Sequence, residues 1–386
     1  MTADEATPPG LTKLAMPKWG LSMRQGKVTD WLVEEGEEIR QGEELFEVET
    51  EKIDGAVESP AAGVLRRRVA EVGAVVPVGG LVGVLSDPSV PDTDVDAFIT
   101  EFQASFVPEE AEAEAETPTR TTEVGGRRLR YLERAPDAPA GDPVVLLHGF
   151  GGDLNNWLFT TEKLAEQRRV YALDLPGHGE SVKDVGAGDV DAFAEMLGGF
   201  LDAVGGRRAH LVGHSMGGAV ALAYALAHPD RVASLTLIDG AGLGEEINAD
   251  YIDGFVAAER RRELKGVLEL LFADPGLVHR QLVDDVLRYK RLDGVDAALR
   301  TVAAAMYPSG RQARVLAGEL ERLAMPLLVI WGEQDRVLPA AHADAARAHG
   351  RVEVLAGAGH SPHIEAANEV NHLVIGFLDE LEGEPR

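Results

Sequence analysis

The chain has 386 residues and a mass of 41.3 kDa, with 37 Lys and Arg against 65 Asp and Glu, a formal net charge of −28. That length accommodates two or three domains at roughly 150 residues each, and so acidic a chain is ill suited to nucleic-acid phosphates or anionic membranes, which both require clustered Lys and Arg. It has no cysteine, so disulfides, thiolate metal sites and a cysteine nucleophile are excluded. The N-terminal segment lacks the basic-then-apolar pattern of a signal peptide and no run approaches ~18 apolar residues, so a cytoplasmic protein without a membrane span is expected.

Leu11 to Ser86 reads as short strands broken by glycine turns, and it repeats itself. At an offset of 37 residues, Gly26-Lys27-Val28 aligns with Gly63-Val64-Leu65, Gly36 with Gly73, Ile39 with Val76, Gly42 with Gly79, Leu45 with Val82 and Val48 with Leu85. Two similar halves predict a pseudo-symmetric flattened β-barrel over 11–86. The polar stretch Glu49-Thr50-Glu51-Lys52-Ile53-Asp54-Gly55 joins the halves and sets Lys52 at an exposed tip.

Residues 87–123 hold eleven acids, one base (Arg120) and four prolines. Such a segment buries too little apolar surface to offset its ordering entropy, and it reads as a partly ordered, self-repelling linker. Phe98, Ile99, Phe102 and Phe106 sit in it at helical spacing, which admits a short docked helix instead.

From residue 124 to 386 the pattern changes. Val144–Leu147, Val170–Leu173, Ala209–Val212, Leu235–Ile238, Leu327–Ile330 and Val352–Leu355 are near-continuous apolar β-runs separated by helical stretches. Strands buried on both faces with crossover helices predict an α/β fold around a mostly parallel sheet. The long gap between Asp239 and Leu327 is helical in character, so a cap inserted at about 245–315 is expected.

Gly213-His214-Ser215-Met216-Gly217-Gly218 follows one strand and precedes an Ala- and Leu-rich helix, the strand–turn–helix context a G-x-S-x-G nucleophile elbow requires. The tight turn lifts Ser215 above the helix N-terminus. His148-Gly149-Phe150-Gly151-Gly152 ends an earlier strand, so the amides of Phe150 and Met216 are the candidate oxyanion-hole donors. The base and acid should follow in the order Ser, Asp, His. His360 and Asp335 sit at strand ends and fit on spacing and turn context; Asp239, also at a strand end, is the alternative acid. His148, His178, His214 and His363 compete as neighbours whose bland roles are lining and loop hydrogen bonding. Asp174-Leu175-Pro176-Gly177-His178-Gly179 reads as a structural turn. No His and carboxylate set has metal-ligand spacing, so no metal is expected.

Around Lys52 the segment resembles the lipoyl domains of 2-oxoacid-type dehydrogenase complexes, and Pro60-Ala61-Ala62-Gly63 fits that family. Biotin carriers share the fold but place their lysine between methionines; here Glu51 and Ile53 flank it. The resemblance implies lipoate covalently attached to Lys52. Residues from about Gly125 to Glu380 resemble the α/β-hydrolase family. The two together, with His148 to Trp157, resemble the dihydrolipoamide acetyltransferase (E2) components of acetoin dehydrogenase complexes. No His-x-x-x-Asp-Gly signature of the more familiar E2 enzymes is present. The resemblance implies acetyl transfer from the lipoyl arm to coenzyme A at Ser215, His360 and Asp335, by acyl-serine or by direct thiol attack. It also implies a thiamine-diphosphate E1, a dihydrolipoamide dehydrogenase E3 and a homo-oligomeric core. Arg260, Arg261 and Arg262 are candidates for coenzyme A phosphates, with a solvated helix face as the bland alternative. The rival functions are an esterase carrying an accessory domain and a scaffold with an inert serine.

Overall fold

The computed structural model describes residues 10–17, 25–49, 54–106 and 119–383. The chain forms two compact units, residues 1–116 and 117–386.

In the N-terminal unit eight strands follow in order: β1 (Leu11–Ala15), β2 (Gln25–Trp31), β3 (Glu38–Ile39), β4 (Glu44–Glu49), β5 (Asp54–Glu58), β6 (Gly63–Arg68), β7 (Val75–Pro77) and β8 (Leu81–Ser86). They make two four-stranded sheets, ordered β1-β8-β6-β3 and β5-β4-β2-β7. Exchanging β1 with β5, β2 with β6, β3 with β7 and β4 with β8 turns one order into the other, so the 37-residue repeat is a structural two-fold. Repeat partners share backbone as well as position. Gly36 and Gly73 take φ of 89° and 91°, and Gly42 and Gly79 take 82° and 78°, values that favour glycine. Leu45 and Val82, Val48 and Leu85, and Val28 and Leu65 are all buried in one core drawn from both sheets.

Helix α1 (Asp92–Ser105) forms inside the segment assigned to the linker. Val95 and Phe98 pack on Leu11, Leu81 and Val84, with Ile99 and Phe102 beside them. Arg66 pairs with Asp92 at 2.7 Å and Arg67 with Asp96 at 3.1 Å, which neutralises part of the helix's charge. The helical spacing of Phe98, Ile99, Phe102 and Phe106 had admitted this helix, but average composition favoured a partly ordered linker. Residues 107–118 lie outside the described residues.

The C-terminal unit starts earlier than its sequence boundary, at β9 (Thr119–Val124), an edge strand whose polar alternation mimics linker. It continues with β10 (Arg127–Arg134), β11 (Val144–Leu147), α2 (Leu158–Ala165), β12 (Val170–Leu173), α3 (Val190–Ala203), β13 (Ala209–His214), α4 (Met216–Ala227) and β14 (Val232–Ile238). The sheet order is β16-β15-β14-β13-β11-β12-β10-β9, completed by β15 (Leu327–Gly332) and β16 (Arg351–Leu355). β11 to β16 are parallel neighbours, while β10 pairs antiparallel with β9 and β12. Alternate residues of β11 face opposite cores. Val145 and Leu147 pack with α3 and α4, and Val144 and Leu146 with α2 and the last helix. Between β14 and β15 lie the cap helices α5 (Ala249–Ala257), α6 (Arg261–Leu268), α7 (Arg280–Lys290) and α8 (Val295–Met306), as the long gap predicted. After β16 come α9 (Pro362–Glu365) and α10 (Ala367–Gly383). No described helix is long and apolar enough to cross a membrane.

The chain adds β12 on one side of β11 and β13 on the other. In open α/β sheets ligands bind at the carboxyl ends of the strands flanking such a switch, here β11 and β13.

Candidate active site

Ser215 sits between β13 and α4 with φ 50° and ψ −118°, a left-handed backbone that a non-glycine residue adopts only when its surroundings hold it there. Its amide donates to the Ile238 carbonyl at 3.1 Å, and its carbonyl accepts from Gly218 at 2.9 Å. The flanking glycines leave no alternative. A Cβ on Gly213 would strike the Gly217 carbonyl, and one on Gly217 would strike the Leu147 carbonyl. The whole of α4 from Met216 to Ala225 is buried, so the turn rests on a rigid support.

Asp335 follows β15 and His360 follows β16, and the fold brings them together. His360 Nδ1 donates to Asp335 Oδ2 at 2.8 Å, with both side chains buried. That bond leaves Nε2 of the neutral ring as the free lone pair, the arrangement a general base needs. Asp335 is held by three further donors: Trp331 Nε1 at 3.1 Å and the amides of Val337 and Leu338 at 2.7 and 2.9 Å. Burial alone would raise its pKa, but the adjoining imidazole and these amides outweigh it and hold the carboxyl below its ordinary value.

The histidine loop is tied on two sides. His214 Nε2 donates to the His360 carbonyl at 2.7 Å, which links the turn at Ser215 to the His360 loop. Glu365 Oε1 accepts from Gly359 at 2.8 Å and its Oε2 from Ala273 at 2.7 Å, which links the His360 loop to the cap. Neither link was legible in sequence, because each joins segments far apart in the chain through a residue type common on surfaces.

The other histidines lie in the interior. His148 Nδ1 donates to Gly149 O at 2.8 Å while Nε2 accepts from Leu175 at 3.0 Å, so the ring must be neutral; burial pushes its pKa down to about 4. His178 and His363 are pushed down to about 3, chiefly by burial, and His214 also lies well below its usual value. Asp174 accepts from the amides of Leu154 and Glu180 at 2.8 and 2.9 Å, so its turn is structural, as its sequence suggested.

Phe150 follows β11, and Met216 opens α4, where an amide has no partner within the helix. Gly149 lies so near the elbow that an added Cβ would sit 3.0 Å from Ser215 Cβ. The cap covers this loop with aromatic side chains that sequence reasoning did not single out. Tyr251 Oη donates to Phe150 O at 3.1 Å, and the rings of Phe255 and Tyr307 meet that of Phe150 edge-on at 5.7 and 6.1 Å. The spacing of Tyr251 and Phe255, one helical turn apart, was the available signal.

Asp239 ends β14 and is fully buried. It accepts from the Gly332 amide at 2.9 Å and makes no hydrogen bond to His360, whose carboxylate partner among the described residues is Asp335. One donor atom each from Asp239, Asp335 and His360 lie within 4.8 Å of one another. Within that group His360 Nδ1 and Asp335 Oδ2 face each other at hydrogen-bond distance. Arg260, Arg261 and Arg262 are exposed at the start of α6, and the Arg261 guanidinium forks onto Asp284 at 2.8 and 3.0 Å. Lys52 lies outside the described residues. It falls between Glu49, which ends β4, and Asp54, which opens β5, and those two pair across the antiparallel ladder.

Two family models match the chain: the α/β hydrolase fold over residues 142–367, and a biotin/lipoyl model, described as biotin-requiring enzyme, over residues 12–85. The chain is 50% identical over 366 residues to the dihydrolipoyllysine-residue acetyltransferase component of the acetoin cleaving system of Pseudomonas putida, covering 95% of this chain and 98% of that one. It is 45% identical over 366 residues to the protein of the same description from Cupriavidus necator, covering 95% and 97%. Among solved structures, a bacterial membrane phospholipase A matches with TM-score 0.62 and 28% identity, covering 76% of this chain and 96% of that one.

Proposed function

We propose, for a chain that belongs to the family of dihydrolipoyllysine-residue acetyltransferase components of acetoin-cleaving systems, that its C-terminal unit passes an acetyl group from the N-terminal carrier unit to coenzyme A through Ser215. Lipoate, joined to Lys52 on the carrier, supplies a thiol that holds the acetyl group as a thioester at the end of a long arm. Fit at the attachment point rests on the strands either side of Lys52 in the chain, β4 and β5, whose Glu49 and Asp54 pair.

Ser215 Oγ attacks the thioester carbonyl while its proton passes to His360 Nε2. The amides of Phe150 and Met216 stabilise the oxyanion, and Asp335 stabilises the imidazolium. As the C–S bond breaks, His360 returns the proton to the departing sulfur. The coenzyme A thiol then gives its proton to His360 and attacks the acyl-serine; the C–O bond breaks and Ser215 recovers a proton. The Phe150, Tyr251, Phe255 and Tyr307 cluster over the oxyanion loop supports transfer over hydrolysis, because an apolar cover limits water. As one component of an acetoin-cleaving system the chain works within a multienzyme assembly. Our reading assigns acetoin cleavage to a thiamine-diphosphate E1, re-oxidation of the carrier to dihydrolipoamide dehydrogenase E3, a homo-oligomeric core to this chain, and the cytoplasm as the setting.

One observation carries the reading: a pseudo-symmetric carrier unit on the same chain as a strained Ser215 and a bonded His360–Asp335 pair. Acetyl-coenzyme A formation from acetyl-dihydrolipoamide tests it. Ser215→Ala is expected to lower the rate by at least about 10³-fold. Undiminished turnover of Ser215→Ala would make the serine a bystander. Release of acetate at a rate indifferent to coenzyme A would make the protein an esterase.

A further inference from the structure

Asp239 is a buried acid beside the Asp335–His360 pair that the mechanism leaves unused. It follows β14 with φ 44°, an unusual backbone for any residue but glycine, though Asp and Asn tolerate it best. Its Oδ1 accepts from Gly332, but its Oδ2 finds no donor among the described residues. A carboxylate oxygen of Asp239 lies within 4.8 Å of one of Asp335, and both carboxyl groups are buried. Two carboxylate oxygens cannot bond each other; the contact is attractive only if one of them carries a proton. Asp335 already accepts four hydrogen bonds and faces the imidazole, whereas Asp239 accepts one. The proton therefore belongs on Asp239.

We propose that Asp239 is a neutral carboxylic acid in the folded protein, that its Oδ2–H donates to the Asp335 carboxylate, and that it acts as a positioning residue for the Ser215, His360 and Asp335 site. Asp335 thereby gains a fifth donor, which turns one oxygen toward His360 Nδ1 and keeps the carboxylate from taking the imidazolium proton. Burial and the charge of Asp335 both favour the neutral form of Asp239, and Glu365 adds to them from the histidine loop. Among the described residues, Asp335, Glu365 and His360 are the ionisable groups that act on it or lie beside it.

The test follows the rate at which a fluorophosphonate modifies Ser215, as a function of pH, in the full chain. This readout needs only the serine and its base, so it stands whether acetyl is later passed to coenzyme A or to water. Asp239→Asn keeps an acceptor for Gly332 and offers an amide donor to Asp335. It is expected to hold the rate within about threefold and to leave the acidic limb of the profile in place. Asp239→Ala removes the donor. It is expected to lose about ten- to a hundredfold in rate and to move the acidic limb upward, because a less restrained Asp335 stabilises the imidazolium. A downward move of the limb by about one pH unit in Asp239→Asn would mean that a negative charge had been removed and would overturn the proposal. So would identical behaviour of the two variants, the mark of a merely structural residue. Should a variant fold poorly, carboxyl ¹³C shifts of the unmodified protein decide the matter: Asp239 is expected to read as protonated through neutral pH, and an ionised signal overturns the assignment.

Discussion

Four imidazoles in the C-terminal unit, those of His148, His178, His214 and His363, are buried and held neutral, and their direction of shift has a consequence for stability. In the unfolded chain each takes a proton below its ordinary value of 6.5; in the folded chain His363 does so only near 3. Its folded-state pKa is depressed, so the stability is fully present above 6.5 and is lost as pH falls toward 3, at about 1.4 kcal/mol per pH unit. Asp174 works oppositely. Burial and the Asp153 charge push it up to about 7, so its contribution is present below 3.8 and is lost as pH rises through about 7. His363 is the most dispensable of the four. Both of its ring nitrogens lack hydrogen-bond partners among the described residues, and its ring lies against Trp157 and His214 at 4.8 and 4.4 Å. His363→Phe keeps those ring contacts and removes the titration. It is expected to gain ~2 kcal/mol relative to the parent at about pH 5 and little at about pH 8. Parallel unfolding curves for the two proteins at both pH values would refute the assignment. Residues of this kind were not legible from sequence, which offered His363 only as a rival to His360 three residues away.

Secondary elements were more legible than their ends. Periodicity two and continuous apolar runs report burial directly, so the six parallel strands, the cap and the strand–turn–helix at Ser215 stand where the sequence predicted them. What failed were segments judged by average composition. α1 was absorbed into a linker although Val95, Phe98, Ile99 and Phe102 make a helical stripe, and β9 was lost because an edge strand needs few apolar residues. Glycines divide in the same way, and space alone does not sort them. A Cβ at Gly73 or at Gly266 would meet nothing within 4 Å. Gly73 has φ 91°, however, while Gly266 lies within α6 on its exposed side. Gly266→Ala is expected to stabilise the C-terminal unit by ~1 kcal/mol, because alanine loses less backbone entropy in a helix. Gly73→Ala is expected to destabilise the N-terminal unit by ~1 kcal/mol, because the left-handed backbone crowds a Cβ. Denaturant unfolding of each variant should give opposite signs; equal signs would show that backbone conformation does not govern these sites.

At the scale of the whole molecule, the two units have separate cores and both are acidic. Residues 1–116 carry nine Lys and Arg against 25 Asp and Glu, a net −16, and residues 117–386 carry 28 against 40, a net −12. Two like-charged bodies gain nothing from long-range attraction, so covalent linkage has to supply the encounter. Joining a carrier to its acceptor by a short tether gives effective concentrations around the millimolar range. Cutting the chain between Glu116 and Thr117 should therefore leave two folded pieces. Transfer between them at micromolar concentration is expected to be slower by roughly 10²–10³-fold, and to recover as carrier is added. Because the pieces repel, added salt should speed the split reaction, screening the repulsion over about 8–10 Å, while leaving the intact chain little affected. Charges on a specific docking face would give the reverse dependence. If salt slowed the split reaction, or if cutting the chain cost nothing at micromolar concentration, recognition between the units rather than tethering would set the rate.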